Sequence, residues 1–247
     1  MMTRRRAGFA VLAILGSALA AGSGWAMSVA DVNLVDLLRD SNAIVKGQVT
    51  SVTDGIDDRG LPYTEVTMEV AETIRGDISG TYTFRQFGLK EPRVTADGTK
   101  QMMPAPEGFP RWVEGESVVL FLYPQAAWTG FRTTTGLGQG KFVLGPARVE
   151  NEAANQGLFG NISLAPGLAT GNDDRMLATE IGAVNPDTFL PFVRRAVQNA
   201  WVENCKMWNT DQGPTCGTQG RRPTRPTLRD TINAGPTRQG SSVFGSK

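Results

Sequence analysis

The stretch GLGQGKFVLG, residues 136–145, sets one lysine among four glycines beside an apolar run, a composition that can cradle a phosphate. The spacing does not match that chemistry. A P-loop needs glycine six residues before its lysine and serine or threonine after it, and those places hold Thr135 and Phe142. In the dinucleotide pattern G-x-G-x-x-G the third glycine would fall on Lys141. The residues are therefore read as the last strand of a small β-domain, bent where glycines permit it. Lys141 is expected at its surface, with Phe142 and Leu144 available to the core.

The chain of 247 residues contains no histidine, which excludes imidazole-based triads and histidine-ligated metals. Only two cysteines occur, too few for a four-cysteine metal site. Carboxylate chemistry survives, as used by glycosidases and aspartic proteases. Its candidates are Glu114 with Glu116, and the adjacent Asp57 and Asp58; the aspartic-protease triplet D-T/S-G is absent. Asp54 and Glu65 occupy the first and twelfth places of a calcium-loop pattern, but Ile56 and Arg59 break it at the third and sixth. The GNDDR segment at 171–175 offers two aspartates without further oxygen ligands. Trp112, Tyr123 and Trp128 are candidates for an aromatic platform for sugar, and aromatic residues near strands also serve as core. NIS at 161–163 fits the glycan acceptor tripeptide. No catalytic residue, cofactor-binding residue or metal ligand is assigned.

Residues 1–26 have the layout of a secretory signal: three arginines at 4–6, an apolar run from Ala7 to Leu15, then small residues. Cleavage is expected after Ala20 or Ala26. The run is shorter than the roughly 20 apolar residues a bilayer span requires, so no transmembrane segment is expected. In an exported chain Cys205 and Cys216, eleven apart, are expected to form one local disulfide. Without its leader the chain carries 22 basic and 24 acidic residues, with 15 basic and 22 acidic over 27–205 and seven basic and two acidic over 206–247. An acidic body argues against nucleic acid as a partner.

Several elements must position these residues. SVADVNLVDLLRDS, 28–41, places Val32, Val35 and Leu38 at helical spacing, with Leu34 and Leu37 widening the stripe and Ser28 or Asp31 as N-cap. NAIVKGQVTSV is β-rich, and YTEVTMEVAETI alternates, with Val66, Met68 and Val70 opposite Glu65, Thr67 and Glu69. TYTFRQFG places Tyr82 and Phe84 on one face; ESVVLFLYP is a continuous apolar run suited to a central, buried strand. With GFRTTTGLGQGKFVLG, 130–145, these make five strands, separated by turns and by a long loop over 88–114 nominated as a binding surface. The expected fold is mainly β: a small five-stranded antiparallel (OB-like) barrel over 27–148, with an N-terminal helix. An extended loop or linker is expected over 149–184, a C-terminal helix over 185–208 with Asn185 as cap, and a disordered basic tail over 209–247.

Taken together, SNAIVKGQVTSV, TEVTMEVAETIRGDISGTYTFRQFG, VEGESVVLFLYP and GLGQGKFVL resemble a group of exported bacterial proteins of unknown function with an N-terminal OB-like β-barrel. The resemblance covers about residues 32–145 and implies architecture alone; no functional residue is carried over. The loop over 88–114 is longer and less glycine-rich than that pattern implies. The function expected from these features is a non-catalytic binding module of the cell envelope or extracellular space, with a protein or glycan partner and no cofactor. The alternatives are a secreted protease inhibitor, by fold analogy, and a carboxylate-dependent glycan hydrolase.

Overall fold

The computed structural model describes residues 31–94, 98, 101–102 and 104–213. The signal-like segment and nearly all of the basic tail, including Cys216, lie outside the described residues.

The chain opens with helix α1 (Leu34–Asp40). Its N-cap is Asn33, whose side chain accepts the Asp36 N–H, so the helix begins later than Ser28 or Asp31 would have set it. Strands β1 (Ala43–Ile56), β2 (Pro62–Arg75) and β3 (Gly80–Phe87) follow as an antiparallel meander. A short hairpin of β4 (Arg93–Val94) and β5 (Gln101–Met102) leads to β6 (Ser117–Leu122), and a tight turn over Leu137–Gly140 feeds β7 (Lys141–Leu144) and β8 (Val149–Asn151). The main sheet has the order β3-β2-β1-β6-β7-β8 and is antiparallel throughout.

The sheet is mainly β architecture as expected, but it has six strands and does not close into a five-stranded barrel. Residues 123–135 supply the reason. They double back beside the end of β6, with Tyr123 N–H bonded to Thr133 O and Thr135 N–H to Phe121 O, so β7 pairs only with residues 118–120. One backbone bond, Arg132 N–H to Arg85 O at 2.8 Å, joins this loop to the β3 edge where a barrel would need a ladder.

Both faces of the sheet are covered. Strand β6 is central, and its run divides by parity: Val118, Leu120 and Leu122 enter one apolar cluster, while Val119 and Phe121 enter the other. The first cluster lies within the curl of β1–β3 and β6, and Trp112 closes it. The second is roofed by helices α1 and α3 (Pro186–Gln198), through Leu34, Leu37, Leu38, Phe189, Phe192 and Val193.

Residues 149–184, expected as an extended linker, instead carry β8, β9 (Ile162–Leu164) and α2 (Gly171–Leu177), and bury Leu158, Phe159, Met176 and Val184 in the second cluster. These apolar side chains follow no regular period, and side-chain hydrogen bonds shape the turns between them: buried Asn155 donates to Val149 O and Gly182 O, and Asn151 to Gln139 O. Helix α3 starts at the expected cap, Asn185 accepting from Asp187 N–H, but stops at Gln198 instead of running to 208. Ala200, at φ +47°, takes the left-handed conformation; its N–H bonds Val197 O and that of Trp201 bonds Ala196 O, which is a Schellman stop. The chain then turns into β10 (Met207–Asn209), paired with β9, so the expected tail boundary at 209 falls within ordered structure extending to Gly213. Among the described residues no helix is long and apolar enough to cross a membrane.

Candidate functional site

The glycine-rich loop folds as structure. Gly136 has φ +66°, and a Cβ on Gly140 would run into the Thr135 carbonyl, so both positions need glycine to make the tight turn. Phe142 is buried between Phe121 and Phe189, with centroids 5.5 and 5.1 Å away, as the alternation requires. Lys141 is not at the surface. It is 2 % exposed, its Nζ lies 2.6 Å from Glu116 Oε1 and 3.9 Å from Glu152 Oε1, it donates to Arg111 O, and it sits 5.0 Å from the Trp112 ring centroid. Its strand parity points it toward the first cluster, and the 111–116 segment folds over it with the carboxylate that neutralises it.

Glu116 also accepts from Val113 N–H, and Glu152 from Arg111 N–H. Burial pushes the Glu152 carboxyl above its ordinary pKa, opposed by that Arg111 bond and by Lys141. The assembly fastens the 105–116 segment to the sheet, and Trp112 extends it by donating to Gln86 Oε1 at 3.2 Å and meeting Phe84 edge-on at 5.4 Å. The second half of the loop nominated as a binding surface is thus a packed plug.

The remaining acidic candidates also have structural partners. Glu114 accepts from Val52 N–H, away from Lys141; Asp54 holds Arg93 and Lys90 N–H; Glu65 holds Arg85. Asp57 accepts from Leu61 N–H and Arg59 and is held below the usual carboxylate range by these bonds, while neighbouring Asp58 is exposed in the turn. Asp173 caps α2 through Thr170 and pairs with Arg195; burial opposes its ionisation, but these bonds outweigh burial and lower its pKa. The Asn161 amide of NIS donates to Asp211. Among the described residues no group of three or more carboxylates or thiols is placed to hold a metal. Cys205 is half-buried after α3, and its expected partner lies outside the described residues.

The aromatic candidates separate. Trp112 is core, Tyr123 is half-buried, and Trp128 is 75 % exposed at the apex of the 123–131 loop. Arg132 pins that loop, donating to Tyr123 O, Tyr82 Oη and Asn42 Oδ1 at 2.7–2.9 Å. At the β1–β2 hairpin tip Arg59 is held by Asp57, donates to the carbonyls of Trp128 and Thr129, and lies 5.5 Å from the Trp128 ring. A second such stack stands beside it: Glu65 holds Arg85, whose guanidinium lies 4.2 Å from the Tyr63 ring, and Phe131 tilts against Tyr63 at 6.4 Å. Phe87, opposite Tyr63 in register, is also exposed.

Tyr63, Arg85, Phe87 and Arg59 were not singled out from the sequence, although parity carries a signal for three of them. Tyr63 falls on the polar face of β2 with Glu65 and Thr67, and Arg85 and Phe87 fall opposite the buried Phe84 on β3. Single exposed apolar residues are ordinary; what distinguishes this surface is that Tyr63, Phe87 and Phe131 are neighbours on it.

No family model, no curated protein and no solved structure matches the chain.

Proposed function

We propose that the protein is an exported, non-catalytic binding module of the cell envelope or extracellular space, and that the Trp128–Tyr63 surface is where it binds. The observation that carries this reading is the pair of stacks Asp57–Arg59–Trp128 and Glu65–Arg85–Tyr63. In each, a carboxylate fixes a guanidinium and the guanidinium braces a ring. Rings held this way are ordered before a partner arrives, which lowers the entropic cost of association. Trp, Tyr and Arg are also the residues that most often dominate binding energy. The signal-like leader supports export.

Cross-linked affinity capture of the exported protein from its host, run in parallel with Trp128→Ala, tests the reading. Stoichiometric recovery of one partner by the wild type, lost in the variant, is expected. Recovery of none, together with turnover of a glycan library, overturns it.

A glycan hydrolase is the second reading, and its observation is that Glu116 and Glu152 flank one lysine, with the Glu152 pKa raised. Both carboxylates are occupied by backbone amides and Lys141, which favours the structural role. The protease-inhibitor alternative drew on analogy with closed barrels, and the open sheet gives it no support.

A further inference from the structure

We infer that the partner presents an acidic segment of protein chain, a carboxylate side chain next to a large apolar one, with Arg85 as the residue that receives the carboxylate. The inference rests on the binding-module reading and adds the chemistry of the partner.

Three observations carry it. The first is the state of the Arg85 guanidinium. Its Nε donates to Glu65 Oε2 at 2.7 Å and its plane lies over Tyr63, so it is oriented; its other N–H groups have no partner among the described residues. An oriented guanidinium with an open fork is matched to a carboxylate, which it can take with two parallel hydrogen bonds. Arg59 differs, since Asp57 and two carbonyls engage it and leave it mainly to brace Trp128.

The second is the direction of charge. In both stacks the cation is the more exposed member: Arg59 is 43 % exposed over Asp57 at 9 %, and Arg85 44 % over Glu65 at 31 %. The guanidiniums thus stand further out than the carboxylates that hold them, with Asp57 the covered acid, Glu65 partly exposed and Asp58 exposed on the same turn. Three carboxylates, Asp57, Asp58 and Glu65, offset the two arginines, so it is the outward placing of the guanidiniums, and not a net positive charge, that favours a carboxylate on the partner.

The third is the apolar wall beside the fork. Phe87 stands two residues from Arg85 on the same face of β3 and Trp128 caps the neighbouring stack, both exposed. Aromatic residues and arginine around an open cation are the composition of a protein–protein contact.

The test uses the full-length exported protein and a short fluorescent peptide in which glutamates flank a leucine, followed by fluorescence anisotropy. Controls are the same peptide with glutamine in place of glutamate, and a uronic-acid oligosaccharide. The glutamate peptide is expected to bind, more weakly as salt rises. Arg85→Gln and Arg85→Lys are each expected to weaken it about tenfold, the lysine keeping the charge but losing the fork, and Trp128→Ala about tenfold. Arg148→Gln, which changes an exposed arginine on the β7–β8 turn, is expected to leave binding unchanged. Equal binding of the glutamine peptide, indifference to both Arg85 variants, binding of the oligosaccharide in place of the peptide, or binding of neither overturns the inference. If host capture still yields a partner that depends on Trp128 but not on Arg85, the binding module stands and the acidic partner falls.

Discussion

The Lys141 ammonium lies 2.6 Å from the Glu116 carboxylate, with side-chain exposures of 3 % and 12 %, and the pair ties the segment carrying Trp112 to strand β7. Removing Lys141 leaves the Glu116 carboxylate without its cation in a site largely closed to water, whereas removing Glu116 leaves Lys141 with the more distant Glu152 at 3.9 Å.

Lys141→Met is therefore expected to destabilise the protein by about 3–5 kcal/mol, because Glu116 is stranded. Replacing both, as Lys141→Met with Glu116→Leu, is expected to recover most of the loss. Chemical denaturation of the two single variants and the double variant measures this; additive losses would show that the two charges act independently.

Gly140→Ala is expected to cost about 1–3 kcal/mol, since its Cβ meets the Thr135 carbonyl and the turn must shift. Gly167→Ala, at an exposed turn with positive φ and open space, supplies a comparison with backbone strain and no clash. Thermal melts that rank Gly140→Ala as the milder change would contradict a packing role for the glycine-rich loop.

Stability depends on pH through carboxylates shifted in opposite directions. Glu72, chiefly through its paired hydrogen bonds with Arg194, and Asp173, through its bonds to Thr170 and Arg195, are held below the ordinary carboxylate value. Their contribution is complete above that value, about 4, and is lost as pH falls through their lowered values. Glu152 is raised by burial, so the folded protein keeps its proton longer than the unfolded chain, and stability declines as pH rises from the ordinary value through the raised one. Glu152→Gln removes that decline. Urea unfolding at a series of pH values is expected to show the stability difference moving in favour of the variant from acid to neutral pH, and a constant difference would refute it.

The proposed export implies a bond between Cys205 and Cys216, which predicts no free thiol in denaturant before reduction and two after it. A bridge closing so short a loop is expected to contribute about 2–3 kcal/mol, seen as a lower melting temperature on reduction.

What was legible in the sequence follows from where apolar periodicity is strong. The alternation in YTEVTMEVAETI and the apolar run in ESVVLFLYP fall on β2 and β6, whose ends differ by one or two residues, and Asn185-Pro186 gives the start of α3. The segment 149–184 was not legible, because its buried apolar residues stand at irregular spacing on turns shaped by Asn151 and Asn155 bonding to backbone, which leaves no period to read. The end of α3 was missed because apolar spacing continues through Trp201 while the backbone leaves the helix at Ala200, a left-handed position without glycine.

The candidate surface divides in the same way. By itself the sequence excluded histidine chemistry and the phosphate-loop reading, and put Glu65, Thr67 and Glu69 on the polar parity of their strand, because composition and period 2 are local properties. Only the tertiary structure decided that Lys141 is buried, since its strand faces an apolar cluster and a loop from elsewhere in the chain brings Glu116 to meet it. The same holds for the two braced rings. Arg59 reaches Trp128 across 69 residues and Arg85 reaches Glu65 across 20, and contacts at such separations are fixed by how strands pair and loops fold back, not by any local pattern.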